Sequence, residues 1–555
     1  MAINNKFHKI VLIIIFLCNI NLYAQVSPNK YVISFTDKNN NQYSVNNPNE
    51  FLSQRAIDRR IKQDINIVEN DLPITSAYVD SLKNLGLTIL NKSKWFNSLT
   101  IFSEDSLLLD TIENISFIKN LTKSASIHKK NSNYHKFFNQ VSKVEYNSID
   151  KKIGILDYGL STNQIEMLNG QILHNQGYQG QKMQIAVIDA GFYHVNSLPA
   201  FDSLRINNQI LGTKDFVQGD NSVYEDHSHG MSVLSILAGN IPYTFIGTAP
   251  QAKYWLLRSE DASSESLIEE ENWASAAEFA DSVGADVISS SLGYSTFDDA
   301  SQSHTYADMD GKTTRISRAA NIAASKGILV VNSAGNEGNK PWKYISAPSD
   351  ADSVLCIGAV NEKGEYASFS SIGPTYDGRT KPNIVSQGEN TVYQGTNGEF
   401  YEGNGTSFST PIIAGLAACL WQAHPKANNM QIFNAIVQSS NHYNNPYNIT
   451  GYGIPNFDNA NLLLDYQDSG NENIISVYPN PFKDVLNFDF YSTDNNNIEI
   501  ELYNILGQKI SFDKHNLAFT NYNKIQINFS GLENGIYFLR VASKDKFFTK
   551  KVIKQ

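Results

Sequence analysis

Residues Met183 to Gly191, MQIAVIDAG, form a short and almost continuously apolar run that ends close to a carboxylate. Similar runs recur along the chain: KYWLLRS (253–259), ADVISSSLG (285–293), GILVVNSAGN (327–336) and SVLCIGAV (353–360). Stretches with helical spacing separate them. Short apolar strands of this kind are typical of a parallel sheet that helices cover on both faces. We therefore predict an α/β fold in which ligands lie beyond the carboxyl ends of the strands.

The bulk composition limits the size and partners of the protein. A chain of 555 residues is too long for one hydrophobic core, so several domains are expected. The formal net charge is −11 at pH 7. Nucleic-acid binding requires clustered Lys and Arg, so this acidic balance disfavours a nucleic-acid partner.

The first 24 residues differ from the rest of the chain. Lys6 and Lys9 precede the apolar run IVLIIIFLC, and the small residue Ala24 follows, which predicts a cleaved secretory signal over residues 1–24. A membrane anchor is the alternative interpretation. The nine apolar residues of this run fall short of the roughly 20 that a membrane-spanning helix needs, so the signal is favoured.

Four polar residues stand at predicted strand ends or helix starts, and each has a structural and a chemical interpretation. Asp189 ends the first run and is either a turn cap or a functional carboxylate. His229 precedes an apolar helical run, and its neighbour His227 competes for any role but lacks a following glycine. Asn336 is either a turn residue or an amide donor to a developing oxyanion. Ser407 stands at a helix start, where unpaired N–H groups favour an anion.

A carboxylate, an imidazole and a hydroxyl supply the orienting group, base and nucleophile of covalent catalysis. Their order along the chain is Asp, His, Ser, which is the order of subtilisin, and the G-x-S-x-G elbow of α/β-hydrolases is absent. The segments around them resemble the motifs of the subtilases, the subtilisin-like serine peptidases: VIDAGF (187–192), HSHGMSV (227–233), SAGNEG (333–338) and GNGTSFSTPIIAG (403–415).

This resemblance implies that Asp189, His229 and Ser407 form the catalytic triad. It also implies that Asn336 shares an oxyanion hole with the backbone N–H of Ser407. The family usually has Thr, Met and Ala where this chain has Met231, Phe408 and Ser409. The last two departures are expected to perturb the packing around the helix start rather than the nucleophile, and they leave the assignment of Ser407 intact.

The resemblance further implies a substrate cleft between two short segments, one of which pairs with the peptide as a strand. The segments are Ser291, Leu292 and Gly293 on one wall and Ser333, Ala334 and Gly335 on the other. Pro411 is expected in the first turn of the helix that carries Ser407, where an N–H would have no helical partner.

The flanking regions differ in character from residues 148–466, which we predict to be the peptidase domain. Residues 26–146 mix strands and helices, and they occupy the position of a subtilase propeptide, a chaperone and temporary inhibitor. Within them, HKKNSNYHKFFNQ (128–140) is interpreted as a linker or cleavage segment. Residues 474–555 alternate with period two and predict an all-β sandwich after the polar linker DYQDSGNENI (465–474).

This last region resembles the sorting domain of the type nine secretion system of Bacteroidetes through YPNPF (478–482), YNILGQKI (503–510), LENGIYFLRV (532–541) and the basic end of the chain. A sandwich that binds carbohydrate or a surface is the alternative. The resemblance implies export across the outer membrane by the secretion machinery, to the cell surface or the medium.

The predicted function is that of a secreted serine endopeptidase that cleaves peptide bonds through an acyl-enzyme. It is expected to act on protein or peptide substrates as a monomer and to need no cofactor for catalysis. Many subtilases bind structural calcium, but the Asp-bearing loops 215–226 and 294–302 have no recognisable ligand spacing, so no metal residue is assigned. A catalytically silent binding module and an esterase are the alternatives. Whether Cys356 and Cys419 form a disulfide stays open.

Overall fold

A computed structural model describes residues 29–124, 142–144, 156–468, 474–491, 497–516, 522–543 and 546–555. The expected signal, the segment 128–140 and part of the linker before residue 474 lie outside these residues. The described residues are treated below as an N-terminal region (29–124), a central region (142–468) and a C-terminal region (474–555). Among the described helices, none combines the length and apolarity that a bilayer span requires.

The N-terminal region is a four-stranded antiparallel sheet with helices on it. In chain order its strands are β1 (Lys30–Phe35), β2 (Thr88–Ser93), β3 (Ser98–Phe102) and β4 (Ile118–Lys123), and they lie side by side in the order β2-β3-β1-β4. Its helices are α1 (Gln54–Lys62), α2 (Ser76–Asn84) and α3 (Ser106–Glu113). Helices α2 and α3 bury apolar residues in the core of the sheet, whereas α1 belongs to the segment between β1 and α2.

The central region contains a seven-stranded sheet in which all neighbouring strands are parallel. The strands are β6 (Gln184–Asp189), β7 (Ile210–Asp215), β10 (Lys253–Arg258), β11 (Val287–Ser290), β12 (Leu329–Ser333), β13 (Val354–Val360) and β14 (Ile384–Gln387), in the order β14-β13-β12-β11-β6-β10-β7. All five predicted apolar runs are strands of this sheet. The two edge strands escaped prediction because β7 is half-exposed and polar, and β14 is only four residues long.

Helices cover both faces of this sheet, as predicted. Alternate residues of β6 enter different cores, with Ile185 and Val187 on one face and Ala186 and Ile188 on the other. The first face packs against α7 (His229–Ala238), α10 (Thr406–Ala423), α11 (Asn429–Gln438) and α12 (Phe457–Asp468). The second face packs against α8 (Ile268–Val283) and α9 (Arg315–Ser325). The α/β prediction is therefore confirmed.

The remaining elements of the central region are short. The helices are α4 (Thr162–Glu166), α5 (Gly170–Asn175) and α6 (Asp202–Ile206). The strands are β5 (Ser142–Lys143), β8 (Asn240–Ile241), β9 (Phe245–Ile246), β15 (Thr391–Gln394) and β16 (Phe400–Gly403). Strand β5 adds an edge to the β15–β16 hairpin. Cys356 and Cys419 are both buried and unpaired with each other, so the open question of a disulfide is answered in the negative.

The C-terminal region consists of two antiparallel sheets that share one apolar core. The first contains β17 (Ile474–Tyr478), β18 (Val485–Tyr491) and β21 (Tyr522–Asn528), and the second contains β19 (Asn497–Asn504), β20 (Lys509–Asn516), β22 (Gly535–Ser543) and β23 (Lys546–Lys554). The predicted all-β sandwich is present. Helix α12 extends to Asp468 and so takes in the first residues of the predicted linker.

The N-terminal region packs against helix α8 of the central region through buried charges. Arg59 and Arg60 of α1 both bind the carboxylate of Asp281, at 2.5 and 2.8 Å. The Glu278 carboxylate accepts hydrogen bonds from the backbone N–H groups of Lys94 and Trp95, at 2.7 and 3.2 Å. Residues of the central region that lie beneath these contacts are therefore inaccessible to solvent while the N-terminal region is in place.

Candidate active site

The candidate residues converge at one edge of the central sheet. Parallel strands point their carboxyl ends in the same direction, so the residues that end β6, β11 and β12 share an edge. Asp189 is the last residue of β6. His229 and Ser407 lie in the first turns of α7 and α10, two helices that pack against each other on one face of the sheet.

Asp189 and His229 are in direct contact, although 40 residues separate them in the chain. The Nδ1 atom of His229 lies 2.6 Å from Oδ1 of Asp189, and both side chains are buried. The Ala190 N–H donates to the same oxygen at 2.7 Å. A Cβ at Gly230 would lie 2.8 Å from the Cβ of Asp189. The glycine after His229 is therefore what allows the start of α7 to approach β6 this closely.

His227, the competing histidine, has a supporting position. Its Nδ1 accepts the backbone N–H of His229 at 3.1 Å, and the side chain is only half-buried. This contact satisfies one of the N–H groups that a helix start leaves without a helical acceptor. The contact with Asp189 belongs to His229.

Ser407 lies in the first turn of α10, but the prediction for Pro411 is wrong. The helix already begins at Thr406, so Pro411 falls in the second turn. Proline has no N–H, so the Ser407 carbonyl loses the donor that a helix would supply four residues later. The Ser291 hydroxyl donates to that carbonyl instead, at 2.9 Å, and the Ser407 hydroxyl donates to the Ser291 carbonyl at 3.3 Å. This reciprocal pair ties the start of α10 to the end of β11.

Asn336 lies beside the same helix start. Its Oδ1 accepts the backbone N–H and the hydroxyl of Thr406, at 2.9 and 3.1 Å. Both donors hold the amide oxygen against the helix, so the Nδ2 group of Asn336 is directed away from Thr406. The contacts of Thr406 with Asn336 are a feature that sequence reasoning missed.

The two predicted cleft walls lie next to each other. Their side chains are mostly buried, and the exposed member is Gly293, with Gly335 half-buried. Ser333 Oγ donates to the Leu292 carbonyl at 3.4 Å and so links the walls. The remaining members are Ser291 and Ala334, both buried.

Sequence reasoning also missed Ser346, which lies between the two walls. Its Oγ is 2.3 Å from where a Cβ at Gly293 would stand and 3.0 Å from where a Cβ at Gly335 would stand. Glycines on both walls therefore leave room for this hydroxyl. Nothing in the segment YISAPS (344–349) signals such a position before the chain is folded.

Comparison with known proteins identifies the family. Residues 150–453 match the model of the subtilase family. The chain belongs to the subtilase family. Residues 30–139 match the propeptide domain of this peptidase class in Bacteroidota, and residues 476–555 match a secretion system C-terminal sorting domain. The resemblances found in the sequence are thereby confirmed.

Individual subtilases are similar to this one at moderate identity. Subtilisin NAT from Bacillus subtilis subsp. natto is 30% identical over 287 residues, which are 51% of this chain and 67% of that protein. Subtilisin from Bacillus pumilus is 31% identical over 272 residues, 48% of this chain and 87% of that protein. A crystal structure of MycP1 from Mycobacterium smegmatis aligns with 58% of this chain and 89% of its own at 22% identity, with a TM-score of 0.43.

This subtilase is a serine endopeptidase, as the family and its subtilisin relatives establish. Subtilisins need no cofactor for catalysis. Within the described ranges, no group of three or more His, Cys, Asp or Glu side chains is arranged to hold a metal ion. The sorting domain indicates that the type nine secretion system exports the protein to the cell surface or the medium.

Proposed function

We propose that Asp189, His229 and Ser407 are the catalytic triad of this endopeptidase. The observation that carries the assignment is the buried contact of 2.6 Å between Asp189 Oδ1 and His229 Nδ1. A carboxylate that binds one imidazole nitrogen leaves the other nitrogen as the base and stabilises the imidazolium that forms. His229 Nε2 then takes the proton from Ser407 Oγ, which attacks the scissile carbonyl and forms the acyl-enzyme.

For this step the Ser407 hydroxyl must leave its acceptor at Ser291. The distance of 3.3 Å to that carbonyl describes a weak hydrogen bond, so rotation about the Cα–Cβ bond of Ser407 costs little. Catalytic hydrogen bonds often tighten only once the substrate is bound. The peptide substrate therefore selects the rotamer in which Ser407 faces His229.

The oxyanion of the tetrahedral intermediate is assigned to Asn336 Nδ2 and the backbone N–H of Ser407. The first N–H groups of α10 have no acceptor within the helix, and the helix dipole adds partial positive charge there. Thr406 holds Oδ1 of Asn336 at 2.9 Å, which presents the donor end of the amide to the cleft. Donors fixed before the reaction stabilise developing charge without reorganising.

The substrate is proposed to bind along the two cleft walls as an extended strand. Because the side chains of Ser291 and Leu292 are buried, the backbone of Ser291–Gly293 is the part of this wall that a peptide can pair with, and Ser333–Gly335 forms the opposite wall. Residues 1–24 are proposed as the signal that carries the chain across the inner membrane, with 26–146 as propeptide, 148–466 as peptidase and 474–555 as sorting domain. The enzyme is proposed to act as a monomer, and no metal residue is assigned.

The triad is tested with two serine variants that lie in the same helical turn. Ser407→Ala should abolish hydrolysis of a fluorogenic peptide, with a loss in kcat on the order of 10⁶, the figure known for the serine of subtilisin. Ser409→Ala is the matched control, because the Ser409 hydroxyl is buried and donates to the Thr406 carbonyl at 2.9 Å. It should keep most of the activity. An active Ser407→Ala beside an inactive Ser409→Ala would show that the nucleophile is misassigned.

A further inference from the structure

Arg258 is a buried arginine beside the proposed triad, and it lies outside the four segments that resemble the subtilase motifs. It is the last residue of β10, and its neighbour across the sheet is Asp189, the last residue of β6. On the other side its neighbour is Asp215, the last residue of β7. The guanidinium therefore lies at the same sheet edge as the triad carboxylate.

The guanidinium binds three separate segments of the chain. Its Nη1 is 2.7 Å from Oδ2 of Asp215 and 3.0 Å from Oδ1 of Asp226. Its Nε donates to the Ala190 carbonyl at 3.2 Å. Planar guanidinium groups hold several acceptors in a fixed geometry, which a single ammonium cannot do. One side chain thus sets the spacing of three segments.

Two of these segments carry triad residues. Ala190 directly follows Asp189, and Asp226 lies three residues before His229. The segments also touch each other, since a Cβ at Gly191 would stand 2.6 Å from the His227 nitrogen and 2.7 Å from the Cβ of Asp226. Residues 216–228, which connect β7 to α7, are called the Asp226 loop below. A displacement of this loop would therefore be transmitted to the start of α7.

Arg258 binds the carboxylates of Asp215 and Asp226, so the position of the Asp226 loop depends on the positive charge of the guanidinium. Asp215 is fully buried, and its Oδ1 already accepts the N–H groups of Val217 and Gln218. Burial raises the pKa of Asp226, the positive charge of Arg258 opposes this, and the carboxylates of Asp215, Glu225 and Asp220 add to the rise. Without the guanidinium, the buried carboxylate of Asp215 and the partly buried carboxylate of Asp226 would repel each other.

We propose that Arg258 is a positioning residue of the endopeptidase, which holds the Asp226 loop against Ala190 and thereby keeps His229 within hydrogen-bond range of Asp189. It does not touch the reacting atoms. The proposal rests on the triad assigned above. A misplacement of about 1 Å in catalytic geometry costs roughly 10²-fold in rate, so the effect should appear in kcat rather than in KM.

The test uses the secreted protein purified from its host, with Arg258→Lys and Asp226→Ala as the variants. Arg258→Lys keeps the positive charge but loses the planar guanidinium group that holds several acceptors at once. Asp226→Ala keeps the buried pair of Arg258 and Asp215 and removes only the carboxylate that ties the loop to Arg258, so we expect it to fold. Glu225→Gln is the control. It removes a carboxylate from the same loop, but that carboxylate accepts a hydrogen bond from the Ser222 hydroxyl and is not a partner of Arg258.

Active sites are counted by titration with a serine-reactive fluorophosphonate, and kcat is expressed per titrated site. We expect kcat to fall by about 10- to 100-fold in Arg258→Lys and by about tenfold in Asp226→Ala, with KM within about twofold. Glu225→Gln should match wild type. A purely structural role would lower the number of titrated sites and leave kcat per site unchanged.

Wild-type kcat per site in Asp226→Ala would overturn the proposal, even if Arg258→Lys were impaired or failed to fold. His229→Ala is measured in parallel. If His229→Ala were active, the triad assignment itself would fail. If it were inactive while Asp226→Ala was normal, only the role of Arg258 would fail.

Discussion

Binding of the N-terminal region to the peptidase should weaken as the pH rises, through Glu278 of α8. In the assembled protein burial raises the pKa of Glu278 to about 7, although the Lys94 charge, the Ser93 hydroxyl and two backbone N–H groups lower it. Ser93, Lys94 and Trp95, which contact this carboxylate, all belong to the N-terminal region. When that region leaves, water reaches Glu278 and its pKa returns toward the ordinary value of 4.5.

The sign of the effect follows from these two pKa values. Below pH 4.5 the carboxyl group is protonated in both states, and its contribution to binding is fully present. Between pH 4.5 and 7 the free peptidase is ionised while the complex still holds the proton, so binding weakens until the pH passes the raised pKa. The two pKa values differ by roughly two and a half units at about 1.4 kcal/mol each, which sets an upper limit of roughly 300-fold on the change in Kd.

Asp281 acts in the opposite direction at lower pH. Burial raises the pKa of Asp281, but the charges of Lys94, Arg59 and Arg60 prevail and lower it to about 2. Its contribution to binding is present above the ordinary value of 3.8 and is lost as the pH falls toward 2. The N-terminal region should therefore bind most tightly near pH 4 to 5.

The assay measures Kd between the separately purified residues 26–146 and the Ser407→Ala peptidase, which the proposed triad predicts to be inactive, by calorimetry from pH 4.5 to 8. Glu278→Gln should remove most of the weakening above pH 5. Glu166→Gln is the control, since Glu166 is an exposed carboxylate of α4 on the peptidase, and it should behave like wild type. A wild-type Kd that is the same at pH 5 and pH 8, or an equal slope in Glu278→Gln, would refute the reasoning.

Three further predictions concern the site and the C-terminal region. Asn336→Leu should lower kcat by roughly 10²–10³ with little change in KM, measured on a peptide substrate, because the proposed role of the amide is to stabilise the transition state. A change in KM alone would contradict this. Activity should fall on acidification because the general base must be neutral to accept a proton, and His227→Gln should leave this fall in the pH–rate profile unchanged. Loss of the fall in His227→Gln would move the base to His227. Deletion of residues 474–555 should leave peptide hydrolysis by the purified enzyme nearly unchanged and retain the protein inside the outer membrane, measured by cell fractionation. Normal surface delivery of the truncated protein would instead favour a binding role for this region.

Local patterns in the sequence were enough to predict most of the architecture. An apolar run such as MQIAVIDAG prefers a buried strand wherever it lies, because side-chain burial and β-propensity act over a few residues. The candidate site was predicted differently, from the chain order of Asp189, His229 and Ser407 and from the resemblance of the surrounding motifs to those of the subtilases. The edge strand β7 was missed because its half-exposed residues carry no such pattern.

Contacts between distant segments were decided only by the tertiary structure. The donor that replaces the missing N–H of Pro411 comes from Ser291, 116 residues away from Ser407. Arg59 finds Asp281 across 222 residues, and Arg258 finds Asp215 across 43. A buried charge or an unpaired carbonyl must be satisfied by whichever group packing brings near it, and no local preference names that group in advance. Local patterns and motifs therefore predicted the fold class and the four residues of the candidate site, whereas packing between distant segments decides what holds those residues in place.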